Sequence, residues 1–287
     1  MTTRKIDSHV HVFNVERVSY GWPTPADKDL YRVIEPPELQ PLLDEAGIGG
    51  TVLVQAADHS AETDYLLEIA EAHESVLGVV GWVPLAEPLE AGRRLEKLAR
   101  RRYFKGVRHL IHGEADPDWL VRADVLEGLR TLASFGLPFD VVAVYPNHLR
   151  HIPRVAESVP NLRLALDHLA KPPISGGPST DAGSMAGWEA ELAAAAAYPN
   201  VYAKLSGLNT ACDWNRWTPE DWKPSVDAAF RSFGADRLLF GSDWPVANLA
   251  GDYRRVWEAT LSALESRSPE DKSSVLGGTA ERFYRLD

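Results

Sequence analysis

The chain reads as a (β/α)8 TIM barrel. Eight short β-like runs recur along its 287 residues. Helix-like segments alternate with them, and surplus loop length collects after strands rather than after helices. The runs span 4–10, 50–56, 76–83, 104–110, 137–144, 162–169, 201–208 and 237–244. Several are continuous apolar stretches, as expected of strands buried on both faces. Helical patterns lie between them, for example at 61–73, 88–101, 125–136 and 218–234. "TPED" at 218–221 marks a helix start: Thr before Pro, then acids in the first turn. A doubly wound open sheet is the alternative. Against it, "SHVHVF" follows the first strand where such a fold would carry a glycine-rich turn.

Loop lengths support the barrel. Helix-to-strand connections such as 135–138, 158–161 and 198–200 are short. Strand-to-helix connections are long at 14–35, 171–184 and 209–218. In a barrel the latter all emerge at the end that carries the active site. Passive drift would have lengthened both ends. No linker, low-complexity tract or repeat divides the chain, so one domain over 1–287 is expected.

A hydrophobic content of 45% is that of an ordinary globular protein, and the net charge of −11 argues against nucleic acid or an anionic membrane as partner. The single cysteine, Cys212, permits no internal disulfide and is read as an inert thiol. "MTTRKIDSHV" has no apolar run of signal-peptide length. A soluble cytoplasmic protein, monomer or homodimer, is the expectation.

Polar residues then cluster where the barrel places its mouth. Strand one ends in His9 and His11, strand two at Gln55, and strand four in Arg108 and His109. Strand six ends in Asp167 and His168, strand seven carries Lys204 near its end, and strand eight ends in Asp243. A lone H-x-H is common by chance, Asp243 could cap the next element, and His168 could be a hydrogen-bonded core group. Their joint placement is what argues for chemistry. Three histidines and a carboxylate can hold one Zn²⁺ in a tetrahedral shell. Without metal, the same set can polarise a carbonyl while Asp243 takes a proton from water. His59, His73, His112, His148 and His151 are read as surface or local hydrogen-bonding groups, and His109 faces either into the mouth or away from it.

The ordered motifs "IDSHVHVF", "VLVQA", "GVVGWV", "FKGVRH", "LDHLAKP", "KLSGL", "LLFGSDWPV" and "GGTAERFYRL" resemble the amidohydrolase superfamily, and within it the amidohydrolase-2 branch. The resemblance runs from residue 6 to residue 286. It implies a lactonase of the L-fuconolactonase or L-rhamnonolactonase type, with His9, His11, His168 and Asp243 in the site. Asp243 would activate water, and the histidines would polarise the lactone carbonyl or hold one divalent metal, with zinc the first choice. Some lactonases of this branch work without a metal. "GVRHL" lacks the bridging lysine or glutamate of two-metal relatives, and "FDVVAVYPN" lacks their strand-five histidine, so a binuclear centre is not expected. Trp22, Trp214, Trp217 and Trp244 in the mouth loops suit the C–H faces of a sugar ring. Gln55, Arg108 and Lys204 suit hydroxyls or a carboxylate. An anionic muconolactone- or pyrone-type substrate, a decarboxylase on the same scaffold, and a non-catalytic sugar-binding barrel stay open.

Overall fold

A computed structural model describes residues 4–286; residues 1–3, which entered the leader reading, lie outside it. Eight parallel strands form one sheet in sequence order, the arrangement of a (β/α)8 barrel. They are β1 (Ile6–Val10), β2 (Gly50–Val54), β3 (Val76–Gly81), β4 (Phe104–His109), β5 (Phe139–Val141), β6 (Leu164–Leu166), β7 (Val201–Leu205) and β8 (Leu238–Phe240). The major helices around them are α1 (Pro36–Ala46), α2 (Ser60–Ala72), α3 (Pro88–Leu98), α4 (Ala123–Ser134), α5 (Ile152–Ser158), α6 (Met185–Ala196), α7 (Pro219–Phe233) and α8 (Tyr253–Ala263). Two short C-terminal helices follow, α9 (Pro269–Ser273) and α10 (Thr279–Tyr284). Among the described residues no helix is long and apolar enough to cross a membrane.

Helix starts follow the local chemistry. Thr218 and Asp221 form the reciprocal capping box of α7 with Pro219 at its first position. The imidazole of His59 caps α2 by accepting from the Ala61 N–H at 3.0 Å. Glu62 accepts the amides of Ala56 and Ala57 at 2.7–3.0 Å, which binds the loop after β2 to the first turn of α2. Burial pushes the Glu62 carboxyl up to about 8, against the lowering effect of those amides.

Two apolar layers organise the core. One lies between strands and helices. The other fills the lower barrel with Ile6, Val52, Val54, Val80, Ala165 and Leu239, and is plugged from below by Phe283, Tyr284 and Leu286 of the C-terminal segment. The closing motif "GGTAERFYRL" therefore seals the end opposite the strand C-termini.

The β1–β8 seam closes by discrete hydrogen bonds rather than a regular ladder. Ser8 Oγ donates to the Phe240 carbonyl at 2.6 Å. The Asp7 carboxylate accepts from the Ser242 N–H at 2.8 Å and the Tyr253 hydroxyl at 3.0 Å. The Asp243 N–H donates to the His9 carbonyl at 2.9 Å, and the His11 N–H to the Trp244 carbonyl at 2.7 Å. Strands β5, β6 and β8 are shorter than the sequence pattern suggests. The chain leaves the ladder early at these points, although its side chains stay buried.

Candidate active site

The site residues sit where that departure happens. After β6 the backbone makes a left-handed turn: His168, Leu169, Ala170 and Lys171 have φ of 53°, 50°, 58° and 55°. Each such non-glycine residue costs roughly 1–2 kcal/mol, so the turn must be held from outside. The Leu169 carbonyl accepts from Trp188 Nε1 at 2.8 Å, and the Ala170 carbonyl accepts from the Tyr145 N–H at 2.9 Å. After β8, Asp243 is likewise left-handed at φ 62°. Gly241 before it lets β1 approach: a Cβ there would lie 2.5 Å from His9 Cβ.

Four side chains converge as a result. Asp243 Oδ1 lies 3.7 Å from His9 Nε2, 3.4 Å from His11 Nε2 and 3.9 Å from His168 Nε2. His9 Nε2 and His11 Nε2 are 3.2 Å apart. His11 Nδ1 donates to the Val54 carbonyl at 2.8 Å, which turns its Nε2 toward Asp243 Oδ1. His168 Nδ1 is held by Ser206 Oγ at 2.9 Å. Burial pushes the His168 imidazole down to about 3 despite the nearby Asp243 carboxylate. Burial and the Lys204 ammonium push His9 well below the usual histidine range. Burial alone would raise Asp243, but the combined pull of His168, His11 and His9 holds it far below a normal carboxyl. The cluster at neutral pH is thus one carboxylate among imidazole nitrogens, and Asp243 Oδ2 is buried without a hydrogen-bond partner.

This donor set fits one divalent metal. Ligand atoms of His9, His168 and Asp243 all lie within 4.8 Å of one another. A tetrahedral shell with bonds of about 2.0–2.1 Å has edges of roughly 3.3 Å, and the separations above bracket that length.

Beneath the cluster the barrel interior holds a buried ionic layer. Lys204 Nζ donates to Asp140 Oδ2 at 2.5 Å, is ion-paired with Asp167 Oδ1 at 3.0 Å and lies 3.0 Å from His9 Nδ1. Arg108 Nη1 donates to Asp167 Oδ2 at 3.0 Å, and its Nη2 donates to the Gln55 carbonyl. Burial opposes ionisation of Asp167, yet Lys204, His9 and Arg108 hold it well below the carboxylate range. Tyr284 Oη from the plug donates to Asp140 Oδ2 at 2.6 Å.

Above the cluster opens a cleft of about 760 Å³, whose walls include His11, Phe13, Trp22, Arg108, His168 and Asp243. Among the substrate-contact candidates, Trp22 (39% exposed) and Arg108 reach it. Gln55, Lys204, Trp214 and Trp244 do not line it. Gln55 is turned inside, donating to Asp58 and the Arg108 carbonyl. Lys204 points into the ionic layer. Trp244 is buried, and its carbonyl holds His11. Trp214 is exposed and donates to the Thr210 carbonyl of its own loop. His109 faces away from the mouth, stacked on Trp119 at 4.1 Å and bonded to Glu114. Cys212 is buried with its thiol pushed up to about 12 by burial, which suits an inert role.

Sequence reasoning passed over Asp58, Glu114 and Lys171 and read His59 and His112 as surface or local hydrogen-bonding groups, yet all five line the cleft. The available signal was position: each lies between a strand and the next major helix.

A parallel (β/α)8 barrel with three imidazoles and a carboxylate converging at its strand C-termini defines a class of barrel enzyme built for polar bond cleavage. The amidohydrolase family pattern matches residues 6–286, and the chain belongs to that family. It is 36% identical to an L-fucono-1,5-lactonase of Burkholderia ambifaria, over 99% of this chain and 97% of that protein. It is 35% identical to an L-fucono-1,5-lactonase of Burkholderia multivorans, over 100% and 97%. A crystal structure of an amidohydrolase from Burkholderia multivorans with bound zinc superposes with a TM-score of 0.88 at 34% identity, covering 99% of this chain and 100% of that one.

Proposed function

We propose that the chain is a lactonase that opens a sugar-acid lactone, with L-fucono-1,5-lactone as the first candidate. The carrying observation is Asp243. Its Oδ1 lies 3.4–3.9 Å from three imidazole nitrogens, while among the described residues Oδ2 has no hydrogen-bond partner. The lactonase names of two relatives at 35–36% identity support the substrate class.

In this reading Asp243 accepts a proton from the attacking water as its oxygen bonds to the acyl carbon. The ring C–O bond breaks, and the proton passes from Asp243 to the ring oxygen, which leaves as a hydroxyl. His168 is kept in place by Ser206, and His11 by Val54, so neither ring has to reorganise. His9, His11, His168 and Asp243 would hold a divalent ion, which when bound supplies Lewis-acid polarisation of the acyl carbonyl. Phe13 and Trp22 offer apolar faces to the sugar ring, while Asp58, His112 and Glu114 offer hydroxyl partners. A carboxylated lactone is the second reading, favoured by the cations Arg108 and Lys171 on the cleft wall. A reducing cytoplasm fits the single buried cysteine.

The test is acid release, followed with a pH indicator, from L-fucono-, L-rhamnono-, L-galactono- and D-series lactones, with muconolactone and pyrone types beside them. Asp243→Asn lowers turnover by about 10²–10⁴-fold, the size of a general-base contribution. Near-full activity in folded Asp243→Asn, or no acid release from any lactone, sinks the reading.

A further inference from the structure

Three cations lie at or beneath the cleft, and two of them are already committed. Arg108 is paired to Asp167 and to the Gln55 carbonyl. Lys204 is ion-paired with Asp140 and Asp167 beneath the cleft and lies 3.0 Å from His9 Nδ1. Lys171 is different. It lines the cleft, and among the described residues no acceptor takes a hydrogen bond or ion pair from its ammonium. The charges acting on it are those of Asp243, Asp167 and Arg108. Since Arg108 and Asp167 largely cancel each other, Asp243 and Lys171 remain as the uncompensated charges of the floor. Lys171 is also held there at a cost. It closes the left-handed turn that begins at His168, with its own N–H bonded to the His168 carbonyl at 2.9 Å. A strained backbone that delivers a partnerless cation to the cleft that the reacting carboxylate also lines calls for a ligand.

We propose that Lys171 is the carboxylate-binding residue of this cleft and takes the acid that lactone opening releases. The inference rests on the lactonase reading above. Hydrolysis converts a neutral ester into a carboxylate next to Asp243, and two carboxylates in a poorly solvated site repel each other. The Lys171 ammonium offsets that repulsion and turns toward the new charge. It is a specificity-determining residue for the acyl end of the substrate, separate from the proton transfers at Asp243.

The experiment is titration calorimetry on the full chain with sodium L-fuconate, with the alditol L-fucitol as a carboxylate-free control. If the panel shows another lactone to be hydrolysed faster, its own aldonate and alditol replace them. Lys171→Gln weakens aldonate binding by roughly 10–100-fold, the range for a hydrogen bond to a charged group. Lys171→Arg restores it to within about 3-fold, and alditol binding does not change. Product inhibition of turnover moves in parallel. Lys171→Asn serves as a second charge-removing variant, since Asn tolerates the left-handed backbone. Unchanged aldonate affinity in Gln and Asn variants of a protein that hydrolyses lactones overturns this inference alone. Equal loss of aldonate and alditol binding also overturns it, because Lys171 would then serve a hydroxyl. A wild-type protein that hydrolyses no lactone and binds no aldonate overturns both this inference and the lactonase reading.

Discussion

Gly207 lies directly behind the proposed catalytic pair, and Gly207→Ala tests how tightly that pair is held. Its φ is +57°, and a Cβ added there would lie 2.7 Å from His168 Nδ1, 2.8 Å from Asp243 Oδ2 and 3.0 Å from His168 Cγ. Ordinary contact begins near 3.4 Å, so the imidazole or the carboxylate must recede by roughly 0.7 Å. Neither can do so freely. His168 is tied to Ser206 and mounted on a strained turn, and Asp243 is tied by its backbone to His9. A misplacement near 1 Å costs about 10²-fold in rate, so kcat falls by roughly 10–100-fold. Overpacking adds about 1–3 kcal/mol of instability, and the left-handed backbone adds roughly 1–2 kcal/mol. Together these lower Tm by about 4–10 °C. The assay is kcat on the best lactone alongside thermal melting, with Gly92→Ala on α3 as a control that meets only Thr131 Cγ2 at 3.5 Å. Wild-type kcat and Tm in Gly207→Ala would refute the claim that this glycine backs both groups.

Glu62 makes stability depend on pH. Its carboxyl is raised from 4.5 to about 8 by burial, so between those values the folded state binds the proton that the unfolded chain has lost. Its contribution is full below about pH 4.5 and disappears as pH rises through about 8. Urea midpoints of the wild type should therefore fall over that window more steeply than those of Glu62→Gln, and parallel curves would contradict the burial argument. A divalent ion at the proposed ligands stabilises the fold by linkage, about 2.7 kcal/mol at a hundred times its Kd. After chelation and dialysis, added zinc raises Tm of the wild type but not of Asp243→Asn. An unmoved wild type, or an equal shift in both, refutes the ligand set.

Much of the scaffold was legible in one dimension. Apolar runs of strand length, alternating with helical periodicity, imply a parallel sheet because only strands buried on both faces lack polar alternation. The "TPED" start worked because a cap is a local interaction, complete within four residues. His9, His11, His168 and Asp243 could be nominated together because a barrel sends every strand C-terminus to one end. The strand ends were less legible. Continuous burial looks the same whether the backbone stays in the ladder or turns left-handed, so Asp167, His168 and Asp243 read as strand but lie beyond it.

The sequence by itself therefore determined the architecture, the end of the barrel that carries polar groups, and the residue types gathered there. Each of these follows from periodicity or from local capping. Tertiary structure alone decided which polar side chains face the cleft and which are consumed inside. Lys204 and Gln55 looked like substrate contacts but are bound within the barrel by Asp140, Asp167, His9 and Asp58. Lys171, unremarkable in "LDHLAKP", is carried to the cleft by a run of positive φ angles that no residue preference announces. Such outcomes depend on partners distant in sequence and on backbone strain sustained by packing, and neither leaves a local pattern to read.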